Sequence, residues 1–232
     1  MVSILTRIFD LVAPRTCSCC GNRLSPTEEY ICVNCLLYFP RTNFQFDPYE
    51  NSMAHMFRGK FPVERCGAFF YYSKKENSVH AIHDFKYHHM PALAVLMVRM
   101  VAHEYATTAF FDGIDGIVPV PLSKASMLRR GYNQCYHLAV GIQEVTGLPI
   151  LRKVVGRRRF RGSQTKRSSE ERWENVKDVF YLKEATQAAH RHLLLIDDVV
   201  TTGATLCACA QAILPAGDVR FSILTIGMVR PS

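Results

Sequence analysis

The 232 residues contain no long apolar run, no internal repeat and no low-complexity segment. A helix that crosses a bilayer needs roughly 18 apolar residues in succession. The best window here, Ala92 to Met100, is broken by Arg99. A soluble globular protein without a transmembrane segment is expected. The stretch Ile4 to Val12 has the apolar content of a short leader, but it holds Arg7 and Asp10, and a cysteine cluster follows where small residues would mark cleavage. An amphipathic helix lying on the body is the expectation there. The even cysteine count of a disulfide framework is also missing. The chain has nine cysteines, four of them in two close pairs, which points to a reducing, cytoplasmic compartment. Acidic residues are scarce, 20 against 28 basic ones, for a formal net charge of +8. Nine cations fall between Arg152 and Arg172, opposed only by Glu170 and Glu171. A charge excess gathered in one segment suggests a phosphate-rich ligand at one place, not a diffuse field.

What is present reads as one α/β domain with a small appendage. Residues 1–15 form an expected helix, 16–40 a cysteine module, 41–64 a connection packed on the surface, and 65–232 the main domain. Apolar residues make up 48% of the chain, enough for a sizeable core. Strands are expected over Cys66 to Tyr72, Ile114 to Val120, Asp178 to Leu182, His192 to Ile196 and Val219 to Val229. Between them lie helical stretches over Ser78 to Tyr87, Ala92 to Ala106, Asn133 to Thr146 and Ala204 to Leu214. Such alternation implies a mostly parallel sheet with helices on both faces, and a ligand site at the carboxyl ends of its strands.

One strand end carries the clearest chemistry. The apolar run Leu193 to Ile196 leads into Asp197 and Asp198, then Val199 and Val200, then Thr201-Thr202-Gly203-Ala204-Thr205 at the start of a helix. Two carboxylates there can accept hydrogen bonds from the two hydroxyls of a ribose. Backbone N–H groups of the turn, threonine hydroxyls and the positive end of the helix dipole together suit a phosphate. Gly203 lets the backbone approach the anion. A second junction, Val118 to Lys124, offers Ser123 and Lys124 to further phosphate oxygens. Arg130 is a candidate for phosphate, and Asn133 for a helix N-cap.

Cys17 and Cys20, then eleven residues, then Cys32 and Cys35 make two C-x₂-C pairs, with Gly21 relieving the knuckle turn. Four thiolates at this spacing suit structural zinc, with no open coordination position, and Cys19 is the spare. The spacing of His80, His83, His88 and His89 repeats no metal pattern. Cys207 and Cys209 read as buried thiols. Trp173 and Phe180 read as packing residues.

The segment from Leu193 to Thr205 resembles the signature of type I phosphoribosyltransferases, which bind 5-phosphoribosyl-1-pyrophosphate (PRPP). The resemblance implies that Asp197 and Asp198 hold the ribose at the catalytic centre, that Thr201 to Thr205 hold the 5-phosphate, and that Mg²⁺ accompanies PRPP. It further implies a mobile loop closing over the ligand, with Gln164, Thr165 and Arg167 in the matching stretch. The stretch Arg157-Arg158-Arg159-Phe160-Arg161 can equally be a single-stranded DNA contact or a solvated loop. Cysteine pairs, Val118-Pro119-Val120-Pro121-Leu122-Ser123, Arg129-Arg130-Gly131-Tyr132-Asn133-Gln134, Arg172 and Asn175 before Phe180, and the acidic turn occur in the order of the ComF family. The chain resembles that family over nearly its whole length, with Tyr132 where a Phe is usual. The resemblance implies a phosphoribosyltransferase-like fold with a zinc knuckle, an association with DNA uptake in natural transformation, and partners in the uptake machinery. Whether PRPP is turned over or only sensed by a DNA-handling factor stays open.

Overall fold

The computed structural model describes residues 13–73, 78–158 and 179–230. These residues hold six strands: β1 (Val63–Tyr72), β2 (Gly116–Pro119), β3 (Val155–Arg157), β4 (Phe180–Leu182), β5 (His192–Val200) and β6 (Arg220–Val229). Seven α-helices accompany them: α1 (Val33–Leu37), α2 (Ser52–Phe57), α3 (Ser78–Tyr87), α4 (Pro91–Ala106), α5 (Lys124–Arg130), α6 (Gln134–Thr146) and α7 (Ala204–Ile213). Four strands form the central sheet in the order β1-β6-β5-β2, and every neighbouring pair is parallel.

The apolar run of β5 explains its central place. A parallel strand with both faces covered needs apolar side chains on both, and successive residues leave on opposite faces. Leu194 and Ile196 enter the core shared with α3, α4 and α6, while Leu193 and Leu195 enter the one shared with α2 and α7. Strand β6 follows the same alternation, with Leu224 and Ile226 on the first side and Phe221 and Ile223 on the second. The cysteine module adds Cys17, Cys19, Leu24, Ile31 and Phe39 to the first core. Near the amino end of the sheet lies a polar network. Arg65 donates to the carbonyls of Ala109, Phe110 and Asp112, and buried His192 sits 2.9 Å from the Ser222 hydroxyl.

The architecture is the expected α/β sheet covered on both faces, with four differences in detail. First, the strand expected from Asp178 does not join the central sheet; β4 pairs antiparallel with β3 in a separate two-stranded ribbon. Second, β5 runs on through both acids to Val200.

Third, the segment 41–64 is not merely a surface connection. It contains α2, whose Met53, Ala54 and Phe57 are buried. Burial of a Met or Phe side chain contributes roughly 1.5–3 kcal/mol. Asn51 starts that helix: its carboxamide oxygen accepts the amides of Met53 and Ala54, each at 3.0 Å. Fourth, α5 occupies residues for which no helix is expected from the sequence. The helix expected over residues 1–15 falls almost wholly outside the described residues.

Candidate functional site

The carboxyl end of β5 brings the two acids together, but in different surroundings. Asp197 and Asp198 leave the strand on opposite faces, as the period of a strand requires. One oxygen of each nevertheless lies within 4.8 Å of the other and of the Cys135 thiol. Asp198 faces the α3/α6 side and is buried at 6% exposure. Its Oδ1 is 2.8 Å from Lys86 Nζ, and its Oδ2 accepts the Gln134 carboxamide N–H at 2.7 Å. Asp197 accepts the Asp198 amide at 2.8 Å and the Cys135 thiol at 3.3 Å, both on Oδ1. Among the described residues no hydrogen-bond donor reaches its other oxygen.

The electrostatics follow from this geometry. Burial, and then the charge on Asp198, push the Asp197 carboxyl up from 3.8 to about 6. Burial works to lower the Lys86 ammonium, but Asp198 and then Asp197 outweigh it, so Lys86 is held charged above its ordinary range. Arg157 of β3 faces Asp197 from the other side. Its guanidinium donates to the Pro121 carbonyl at 3.3 Å and lies 5.1 Å over the Phe180 ring.

The turn after β5 leads directly into α7. Thr201 is exposed, Thr202 and Thr205 are half-buried, and Ala204 opens α7. Among the described residues no carbonyl or side chain occupies the amides of Thr201, Thr202 or Gly203. Gly203 has φ +76°, and a Cβ there would stand 2.7 Å from Phe57 Cε1. Helix α2 therefore backs the turn and sets its shape. Gly203→Ala is expected to cost about 1–2 kcal/mol in the left-handed backbone alone, with further displacement of Phe57. The expected readout is a lower melting temperature; an unchanged melt would mean that α2 yields freely.

The second junction departs from expectation. The Ser123 hydroxyl caps α5, accepting the Ser126 amide at 3.1 Å and donating to Ser126 Oγ at 2.9 Å. Lys124 is exposed at the first position of that helix. Asn133 is the N-cap of α6, accepting the Cys135 amide at 3.0 Å. Arg130 is half-buried, 5.2 Å over the Tyr87 ring, and its buried Nε finds no partner among the described residues. Lys86, Gln134 and Cys135 carry no signal of their own in the sequence, although Gln134 stands inside the Arg-Gly-Tyr-Asn-Gln run. Arg159, Arg161, Gln164, Thr165 and Arg167 lie outside the described residues. So do Phe160, Arg172, Trp173 and Asn175.

The cysteine module gathers Cys17, Cys20, Cys32 and Cys35, with sulfurs all within 4.8 Å of one another. The donor set fits a tetrahedral thiolate site. Cys17 Sγ accepts the amides of Cys19 at 3.4 Å and Cys32 at 3.3 Å, and Cys32 Sγ accepts that of Cys35 at 3.4 Å. Burial opposes ionisation of Cys17, but the amides of Cys32, Cys20 and Cys19 bring its pKa down to about 7. Burial pushes the Cys19 thiol up to about 12, and burial holds the Cys32 and Cys35 thiols above their ordinary value as well. Gly21, at φ +73°, turns the first knuckle. The four cysteines can hold a structural metal such as zinc. One histidine group departs from expectation: His83, Asp84 and His88 lie within metal-ligating distance, largely exposed.

No family model matches the chain. Curated relatives do. Competence protein F of Haemophilus influenzae is 36% identical over 93 residues, covering 40% of this chain and 41% of that protein. DNA utilization protein YhgH of Salmonella typhi is 30% identical over 139 residues, 59% of this chain and 60% of its own length. Competence protein ComFC of Bacillus subtilis is 30% identical over 114 residues, 49% and 44% respectively. These relatives support a ComF-family reading of the chain. The chain spans about 41 to 60% of the length of these ComF relatives. No helix among the described residues is long and apolar enough to cross a membrane.

Proposed function

We propose that this ComF-family chain is a PRPP-binding protein of phosphoribosyltransferase type that acts in the handling of DNA during competence, in the cytoplasm. The observation that carries the reading is the turn Thr201 to Thr205. Its amides are open at the carboxyl end of a parallel strand, beside two carboxylates. In this reading the turn takes the 5-phosphate and the carboxylates accept the ribose hydroxyls. None of the nine cysteines is joined in a disulfide, which leaves the two C-x₂-C pairs available to a metal and suits a reducing compartment.

The reaction class is displacement at C1 of the ribose. A nucleophile forms a bond to C1, the C1–O bond breaks, and pyrophosphate leaves with the electron pair. Mg²⁺ enters with the pyrophosphate in this reading, and Asp198, held by Lys86 and Gln134 in the ligand-free protein, is kept for the ribose. In this reading Arg130, whose charge opposes that of Lys86, and Lys124, exposed at the first position of α5, meet the leaving group, whereas Ser123 is committed to its helix cap.

A second reading has its own observation. Arg152 lies 4.1 Å over Tyr136, Arg157 5.1 Å over Phe180 and Arg158 5.6 Å over Tyr181. Guanidinium–aromatic pairs of this kind also serve single-stranded nucleic acid, by stacking and charge. The names of the relatives, competence and DNA utilization proteins, agree with a DNA role.

Calorimetric titration with PRPP and Mg²⁺, beside single-stranded DNA binding across salt, tests both. PRPP affinity should rise with pH through about 6, because an ionised Asp197 accepts ribose hydroxyls more strongly than a protonated one. The ligand-free fold has the opposite linkage. A carboxyl raised from 3.8 to about 6 contributes stability that is present below 3.8 and lost as the pH rises through 6. No PRPP binding at pH 7.5, with a steep salt slope for DNA that shrinks in Arg157→Gln/Arg158→Gln, would leave only the DNA-handling factor.

A further inference from the structure

The Lys86–Asp198 pair poses a difficulty that itself points to a function. If Asp198 is to accept a ribose hydroxyl, Lys86 must let go of it, and a charged ammonium released in a mostly buried pocket needs another anion. The local charge balance supplies the reason for one. Two carboxylates, one of them with a raised pKa, are faced by Lys86 and Arg157, while Arg130 stands near enough to oppose the charge on Lys86. Three cations thus surround two carboxylates, and an anionic ligand can complete the balance. Two unpartnered buried atoms adjoin the same place: Gln134 Oε1, on a residue at 2% exposure, and Arg130 Nε. Gln134 already donates to Asp198, so its free oxygen is a ready acceptor for a ligand hydroxyl. The Lys86 stem is a flexible four-carbon chain, able to carry its charge from one partner to another without movement of α3.

We propose that Lys86 is an exchangeable counter-ion: it holds Asp198 in the ligand-free protein, yields that carboxylate to a ribose hydroxyl, and transfers its charge to the pyrophosphate. This rests on the PRPP reading and adds to it a basis for specificity. Ribose 5-phosphate displaces Lys86 but gives it no new partner. PRPP displaces it and supplies one. The residue thus sets the preference for a ribose that bears a pyrophosphate at C1.

Lys86→Met and Lys86→Arg are compared with wild type by titration with Mg²⁺–PRPP and with ribose 5-phosphate. Wild type should prefer PRPP. Lys86→Met should lose at least tenfold in PRPP affinity while binding ribose 5-phosphate as tightly as wild type or more so, and Lys86→Arg should keep the preference. An equal loss for both ligands would make Lys86 a purely structural partner of Asp198 and overturn the proposal. An equal gain for both would make it only a plug, and would overturn the proposal as well. If Lys86→Met does not fold, Lys86→Gln, which keeps a donor for Asp198, gives the same comparison. Failure of wild type to bind either ligand would instead sink the PRPP reading itself, and this inference with it.

Discussion

Asp197→Asn should bind Mg²⁺–PRPP at least tenfold more weakly than wild type and yet melt at a higher temperature at pH 7.5. The two effects share one cause. Burial and the neighbouring Asp198 make an ionised Asp197 unfavourable in the ligand-free fold, which is why its pKa rises to about 6. Removing that charge relieves the fold and deprives a ribose hydroxyl of a charged acceptor. A hydrogen bond to a charged group contributes roughly 1.5–3 kcal/mol, which is about ten- to a hundredfold in affinity. Removal of both charges in Asp197→Asn/Asp198→Asn should bring the loss to on the order of a thousandfold. That variant should not share the gain in stability, because it strands Lys86 as a buried cation without its 2.8 Å partner. Calorimetry and thermal melts on the single and double variants separate the contributions. Undiminished PRPP affinity in the double variant would remove the acids from the site.

Much of this arrangement was legible in the chain because it depends on local order. The run Leu193 to Ile196 demands a buried strand, and the Thr-Thr-Gly-Ala-Thr turn demands a helix behind it. Two C-x₂-C pairs demand one another. What was not legible depends on which elements meet. Lys86 sits in a helix with His80, His83 and Asp84, and nothing local distinguishes it from a solvated cation. Only the docking of α3 against the end of β5 brings it to Asp198. Gln134 and Cys135 look like an ordinary first turn after the Asn133 cap, until α6 is set beside β5. Other misses were avoidable. Strand periodicity alone puts Asp197 and Asp198 on opposite faces, so a symmetrical pair of acceptors was never the geometry to expect. Asn51 followed by Met53, Ala54 and Phe57 carries a cap and a short buried face. Six residues are too few for a periodicity to stand out in a segment rich in Asn, Pro and aromatics.

The four cysteines can hold a structural metal, and keeping it from them with a chelator should produce the largest change in stability of any treatment and should also weaken PRPP binding at a distance. Apparent binding free energies for structural zinc in small modules are about 10–16 kcal/mol at neutral pH. That is comparable with the roughly 5–15 kcal/mol that stabilises a whole domain. The module has little to replace it: α1 buries no residue, and Leu37 and Tyr38 are exposed. Its apolar contribution, Cys17, Cys19, Leu24, Ile31 and Phe39, is made to the core beneath α3 and α4, with Phe39 stacked on Phe70 at 5.1 Å. A chelator, or Cys17→Ser/Cys32→Ser, should therefore expose residues 16–40 to protease and lower the melting temperature sharply, while Cys19→Ser should retain the metal. The effect should spread because the module packs on α3: Cys17, Cys19 and Ile31 share a core with Ala81, Ile82 and Phe85, and Thr16 to Gly21 line an open groove together with His80 and Asp84. Helix α3 presents Lys86 to Asp198 from the same ten residues. A loosened knuckle leaves that helix supported on one side only, and the ion pair at its end loses its fixed geometry. Metal-free protein that keeps both its melting temperature and its protease pattern would show that the four thiols are not a metal site; a loss of stability with PRPP affinity intact would show that α3 is held by the sheet alone.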